Sequence, residues 1–414
     1  MNNYESFKET GVQWLGAIPT HWNFCQLRHA ISQMRTGLNP RNNFILTNDD
    51  EFFYVTIRNF KDGVLYLDDN CDKINRKAWE FIQERSDLRK GDILFASISH
   101  NGQAVLVKEN PYNWNINESV FKLRFKKLVL PEFAYYVLTS DVFYNEMASD
   151  ATGSTFKSIK QNRLRANYFP LPPIDEQKAI SDYLDIKTTE LDEEKQNLLK
   201  QIELLKELKQ SIILNAVMHG LHKDVEMKDS ECDLLGLIPK SWSVKAYKYC
   251  MEIENGKDYK EVVSEEGYPV MGSGGQFAYA SSYLYDGEAV LLGRKGTIDK
   301  PLYYKGKFWS VDTMFYAHPK GKNFCKFMYY AALCFPFDKY STATALPSMT
   351  QTDLGNHKIA VPPVEEQKCI ADYLDVKTAA IDEQIQLQEQ QIKLIDELKQ
   401  SIISQAVTGK IKVF

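Results

Sequence analysis

The phrase PPIDEQKAISDYLDIKT begins at residue 172, and PPVEEQKCIADYLDVKT begins at residue 362. The two copies run without gaps over 172–217 and 362–407, with 27 of 46 positions identical. A duplication of this length limits the fold severely, because each copy has to meet an equivalent environment. A shorter repeat lies upstream of each: WLGAIPTHW at 14–22 and LLGLIPKSW at 234–242. Phe7-Lys8-Glu9-Thr10 and Met227-Lys228-Asp229-Ser230 extend the same correspondence. The tails are offset by 190 and the entry phrases by 220, so the first half holds 30 more residues between its two motifs. The chain is therefore two tandem half-molecules, each with an entry motif, a variable globular region and a shared tail. Alike tails imply one shared task, and unlike globular parts imply two versions of another. The divisions expected are 1–171, 172–218, 219–361 and 362–414.

Each tail is expected to be a helix. Pro172-Pro173 and Pro362-Pro363 suit the residues just before a first helical turn. Asp175-Glu176 and Glu365-Glu366 then place carboxylates at the positive end of the helix dipole. No Gly or Pro interrupts 174–219 or 364–408. A helix of that length extends ~65 Å at ~1.5 Å per residue. A break near 185–188 would split it into a short and a long helix. Leu191, Leu198, Leu205 and Ile212 recur every seventh residue, with Ile202, Leu208 and Ala216 on the alternate seam. Ile381, Ile385, Ile392, Ile395, Leu398, Ile402 and Ala406 repeat the pattern. Heptads with charged flanks predict a coiled coil. Each stripe is narrow, and the obvious partner is the other copy. Lys195 and Gln388 interrupt the seam. An antiparallel pairing would make the molecule pseudo-twofold, with one globular region at each end of a rod. One turn of duplex DNA is ~34 Å, so such a rod would suit a bipartite target.

The globular regions read as α+β. FFYVTI (52–57), a Lys-Asp-Gly turn and VLYL predict strand, turn and strand. LRKGDILFASIS (88–99) and ESVFKLRF (118–125) each predict a strand. In the second half, GEAVLLGRKGTIDKPLYY (287–304) predicts a hairpin, and WSVDTMFYAHP (309–319) a further strand.

With 414 residues, two or three domains are expected. MNNYESFKET lacks the basic and apolar features of a signal peptide, and no run reaches the ~18 apolar residues of a membrane span. Seven scattered cysteines without a CxxC pair (25, 71, 232, 250, 325, 334 and 369) fit reduced thiols, which predicts a cytoplasmic protein without a zinc site. The net charge of −5 does not by itself announce nucleic acid. Catalytic motifs are poor. Asn110-Pro111-Tyr112 imitates a methyltransferase loop weakly, and Gly272-Ser273-Gly274-Gly275 lacks the strand-to-helix setting of a cofactor loop. Glu176-x-Lys178 and Glu366-x-Lys368 could serve a nuclease, yet at a helix start dipole complementarity explains them better. No catalytic residues and no metal site are expected.

Nucleic-acid signals are local. STFKSIKQNRLR (154–165) offers Lys157, Lys160, Arg163 and Arg165 among hydroxyls and amides. Its positional counterpart, 341–358, is hydroxyl-rich and nearly uncharged. GRKGT (293–297) places Arg294, Lys295 and Thr297 on a hairpin tip, where glycines allow close approach to a phosphate. MGSGGQFAY (271–279) adds Gly272, Ser273, Gly275 and Gln276. Each could equally be a solvated turn.

The entry motif, the PP-x-x-EQK…DYLD-x-KT tail and the run from Tyr-Asp-Gly-Glu through Gly-Arg-Lys-Gly-Thr to Trp-x-Val-Asp-Thr resemble specificity subunits of type I restriction-modification systems. The resemblance covers essentially the whole chain. It implies two tandem target-recognition domains, each followed by a long helix, that read the halves of a bipartite, asymmetric double-stranded DNA target. It implies that the two helices pair as an antiparallel spacer and dock two adenine methyltransferase subunits, which would carry S-adenosylmethionine. A motor-nuclease (restriction) subunit could join them. This chain itself would bind no cofactor and catalyse nothing. The heptads alone would also permit a coiled-coil scaffold with two protein partners, and DNA binding in the presence of the methyltransferase separates the two readings.

Overall fold

The computed structural model describes residues 4–41, 43–47, 51–61, 63–97, 104–148, 159–222, 224–337 and 347–414. Lys157 lies outside these residues, as do all of 154–158 and 341–346. The chain forms two compact units. Unit 1 is Met1–Asn197 with Gln390–Phe414, and unit 2 is Leu198–Glu389. Each unit thus draws on parts of both tails.

In unit 1, the entry motif folds as a small ladder of Phe7–Glu9 against Ala17–Pro19. Asn23–Gln26 then pairs with Tyr168–Leu171, tying the start of the globular region to its end. Between them lies an antiparallel sheet ordered Ala104–Leu106, Ile93–Ala96, Val120–Phe125 and Ile31–Thr36. A second sheet has Phe53–Val55 parallel to Trp114–Ile116, and its first strand also pairs with Lys73–Ile74. FFYVTI does not stay extended throughout. Thr56 caps a short 3-10 turn, Ile57–Asn59, through its hydroxyl, and this ends the strand at Val55. The core gathers Trp22, Phe95, Phe133, Phe143 and Phe169, all fully buried.

Unit 2 repeats the frame. Met227–Asp229 pairs with Leu237–Pro239, and Ser243–Ala246 with Lys358–Val361. Its sheet is larger, ordered Met251–Asn255, Met314–Pro319, Tyr285–Gly293, Leu302–Ser310, Tyr268–Gly272, Gly275–Ala280 and Val263–Ser264. Every pairing is antiparallel except that of Leu302–Ser310 with Tyr268–Gly272. WSVDTMFYAHP is not one strand. Trp309 and Ser310 end one strand, 311–313 turn, and Met314 starts the next.

The tails are helices Ile174–His219 and Val364–Val407. The first is continuous through 185–188, so the alternative of a short and a long helix does not hold. Asp185 and Thr188 are used instead to hold Tyr136 of unit 1. Within unit 1, Lys195 Nζ meets Asp396 at 2.8 Å and Lys399 Nζ meets Asp192 at 2.6 Å. Within unit 2, Lys209 Nζ meets Asp382 at 2.6 Å and Gln388 Nε2 donates to Gln201 Oε1 at 2.8 Å. In each unit the numbers rise on one helix as they fall on the other, so the neighbouring segments are antiparallel. Ile202, Ile381 and Ile395 are buried, while Leu191, Leu198, Leu205, Ile212, Ile385, Ile392 and Ile402 are half-buried. Leu208 and Leu398, which the heptad count assigns to the seam, are about half exposed. Lys195 and the Gln388 amide nitrogen each find a polar partner on the other helix.

Candidate nucleic-acid interface

The shared motifs turn out to be joints. Trp22 Nε1 donates to Glu176 Oε2 at 2.8 Å, and Trp242 Nε1 donates to Glu366 Oε2 at 3.0 Å. The entry phrase is thereby locked to the first turn of the tail in both halves. A hydrogen bond to a charged acceptor is worth about 2 kcal/mol. His21 and Tyr4 also reach Glu176, and burial together with that carboxylate raises the Tyr4 phenol well above its ordinary value.

The next residue clamps the globular part. Gln177 accepts from Leu130 N at 2.8 Å and donates to Pro172 O at 2.9 Å. Gln367 accepts from Phe324 N and donates to Pro362 O at the same two distances. Leu130 and Phe324 are the N-caps of helices Pro131–Thr139 and Cys325–Ala332, so each glutamine takes the N-cap backbone N–H, the role of the N3 side chain in a capping box. Further along, Tyr136 OH donates to Asp185 at 2.6 Å, and Tyr330 OH to Asp375 at 2.7 Å. The tail phrase is therefore a docking strip for the globular region. The Glu-x-Lys pairs do not converge: Lys178 bonds Asp182 while Glu176 holds Trp22. Among the described residues no group of three or more His, Cys, Asp or Glu is placed to hold a metal ion.

In unit 2, two sequence candidates meet on one turn. Tyr268–Gly272 and Gly275–Ala280 form a tight hairpin with Ser273 and Gly274 at its tip. The turn 311–313 lies beside it, with Val311 N donating to Met271 O at 3.2 Å. On the same turn, Arg294 N and Lys295 N donate to Thr313 O at 2.9 and 3.3 Å. A cleft of about 380 Å³ opens between these parts, lined by Tyr259, Ser273, Gln276, Phe277, Asp312 and Thr313. Gly272 and Gly275 are also in its wall. Arg294 is half-buried. Its guanidinium lies 5.8 Å from the Phe315 ring centre and donates to Asp312 O at 3.4 Å. Lys295, Thr297 and Gln276 are exposed. Gly293 cannot carry a side chain, because a Cβ there would sit 2.2 Å from Thr297 O. Phe277 is 56% exposed and packs edge-on to Tyr259.

This surface carries guanidinium, ammonium and amide donors, a carboxylate, hydroxyls and an exposed ring. Such a set can bond phosphates and base edges together. Asp312 and Thr313 are not evident from sequence, because the Trp-Ser-Val-Asp-Thr run reads as part of a strand. The signal available was the polar pair between two apolar stretches.

Unit 1 is different. Lys160 is exposed and is the N-cap of helix Gln161–Ala166. Arg163 is directed to Glu146, with its guanidinium 3.2 Å from the carboxylate. Lys160 and Arg163 thus share one short helix and its N-cap.

A family profile described as "Type I restriction modification DNA specificity domain" matches residues 26–204 and 239–396, well over half of the chain. A putative type I restriction enzyme MjaX specificity subunit from Methanocaldococcus jannaschii is 25% identical over 99% of this chain and 97% of that protein. The type I restriction enzyme MjaVIII specificity subunit of the same organism is 25% identical over 99% of this chain and 96% of that protein. Among solved structures, a chain from work on complex assembly and conformational transition of the type I R-M system superposes with a TM-score of 0.71. It is 16% identical, over 95% of this chain and 99% of that one. The HsdS subunit from Thermoanaerobacter tengcongensis superposes with a TM-score of 0.52 at 17% identity, over 95% of this chain and 98% of that one. With two matched stretches, one on each half of the repeat, the chain belongs to the family of type I restriction-modification DNA specificity subunits.

Proposed function

We propose that this chain reads a bipartite, asymmetric double-stranded DNA target, one half-site per unit, and holds two adenine methyltransferase subunits. The observation that carries the reading is the contrast between the two units. Their joints are the same, with Trp22 on Glu176 and Trp242 on Glu366, while the sheets between those joints differ in strand number and order. A fixed frame that displays two unlike surfaces suits two unlike half-sites. In unit 2 the reading surface is the cleft flanked by Arg294, Lys295, Gln276 and Asp312.

The helices serve as spacer and docking surface. Leu204 and Leu394 occupy equivalent tail positions and are 63% and 62% exposed; Leu208 and Leu398 repeat this one turn on. The same apolar pair presented once per tail suits two copies of one partner. S-adenosylmethionine and the catalytic residues belong to those partners, and a motor-nuclease subunit can join the assembly.

Single-molecule methylation sequencing of DNA from cells expressing this chain with its methyltransferase tests the reading. The expected result is a split motif, two short unlike halves with a fixed gap. A contiguous motif, or none from a complex that contains active methyltransferase, would overturn it.

A further inference from the structure

The GRKGT run has no sequence counterpart in the first half, yet the backbone frame around it has one. In unit 2, Trp309 and Ser310 run parallel to Val270 and Met271; in unit 1, Trp114–Ile116 runs parallel to Phe53–Val55. A turn follows each Trp-led segment. Its amide returns to the neighbouring strand in both cases, Val311 N to Met271 O at 3.2 Å and Asn117 N to Val55 O at 2.9 Å.

A glycine presses on each turn where no side chain would fit. A Cβ on Gly256 would lie 1.9 Å from Val311 O, and one on Gly37 would lie 1.6 Å from Ile116 O. Arg294 N donates to Thr313 O at 2.9 Å, and Ser97 N donates to Ser119 O at 2.9 Å. Arg294 O accepts from Met349 N at 3.0 Å, and Ser97 O accepts from Ile159 N at 2.7 Å. Ile159 and Met349 are 190 residues apart, the offset of the tails. Together these features set Ser97 in the place of Arg294 and the turn 117–119 in the place of 311–313.

The side chains at these equivalent places differ. Ser97 is buried and spends its hydroxyl on Ser119 O at 2.7 Å, so no guanidinium reaches out there. Glu118 is exposed at the tip of its turn, as Asp312 is on its own. Glu118 is also steadied, since Tyr54 OH lies 3.4 Å from its carboxylate. Arg58, exposed, follows Val55 where the glycine hairpin follows Met271 in unit 2.

We infer that the turn 117–119, with Glu118 as its outward acceptor, is the base-reading surface of unit 1, equivalent to Asp312 and Thr313 in unit 2. The helix bearing Lys160 and Arg163 is not that surface. The inference rests on the proposed DNA-reading function. A carboxylate is repelled by phosphates, so on a DNA-facing turn its use is to accept from a base amino group, cytosine N4 or adenine N6. Unit 1 and unit 2 then share one reading position and differ in what stands there.

The test is motif sequencing of the whole methyltransferase complex carrying Glu118→Ala, Glu118→Gln, Asp312→Asn or the double change Lys160→Ala/Arg165→Ala. Wild type is measured first. If it writes no split motif, the underlying reading fails and this inference falls with it. With a split wild-type motif, both Glu118 variants should relax one position of one half, raising methylation at non-cognate bases about tenfold or more. Asp312→Asn should alter only the other half, and the Lys160/Arg165 double variant should leave the motif intact. If both Glu118 variants keep the wild-type motif, or change both halves, the assignment is wrong even though the reading stands. If the Lys160/Arg165 variant relaxes a half-site, the helix is the reader instead. Glu118→Gln keeps the size of the side chain, so a loss confined to Glu118→Ala would mark a structural effect and overturn the assignment.

Discussion

Two residue pairs are among those that differ between the corresponding joints of the units. Trp14 corresponds to Leu234, and Asn167 to His357. In unit 1 the Trp14 indole is buried and donates to Asn167 Oδ1 at 3.2 Å. In unit 2 Leu234 is 39% exposed, and a cavity of about 260 Å³ remains beside it, with His357 in its wall. Leu234→Trp should fill part of that space and stabilise unit 2 by about 1–2 kcal/mol, read as a shift of the denaturation midpoint in urea. His357 is buried against Phe335, and burial lowers its pKa from the ordinary 6.5 to about 4. Below pH 6.5 the unfolded chain takes up a proton that the folded chain refuses. The stability is therefore fully present above pH 6.5 and is lost as pH falls towards 4, by at most about 3 kcal/mol. His357→Asn, the residue unit 1 uses, should flatten that part of the stability profile; an unchanged acid slope would show that His357 does not set it.

At the scale of elements, the helices show how far a heptad pattern carries. Proline, first-turn carboxylates and an unbroken run without Gly or Pro are local properties, so the limits of both helices were legible. The apparent faults at Lys195 and Gln388 were not legible as contacts, because their partners Asp396 and Gln201 are about 190–200 residues away. The exposed leucines were miscounted for the same reason: seven-residue spacing identifies a stripe but not which edge of it is covered. If the exposed edge is a docking surface, Leu204→Glu and Leu394→Glu together should abolish co-purification of the methyltransferase. Helicity by circular dichroism should stay unchanged, since both side chains already face solvent. Retained co-purification would remove these leucines from the docking surface.

At the scale of the molecule, each unit is closed by parts of both tails, with Gln390–Phe414 completing unit 1 and the second half of the first long helix contributing to unit 2. The frame is shared and the displayed surface is not. Exchange of residues 23–171 for the corresponding region of another specificity subunit should therefore change one half of the methylated motif and leave the other intact. A change in both halves would mean that the surfaces are not independent.

The sequence by itself determined the duplication, the entry and tail motifs, the helices and the family. These are properties of residue order, spacing and local backbone preference, which a linear reading contains in full. Only the tertiary structure decided what the motifs are for. Trp22 reaches Glu176 across 154 residues, Gln177 reaches Leu130 across 47, and Arg294 reaches the Asp312 and Thr313 turn across a sheet. Only tertiary structure, too, showed that Ser97 stands where Arg294 stands. Backbone hydrogen bonds do not depend on which side chain they carry, so a frame can persist after every residue that would advertise it has changed.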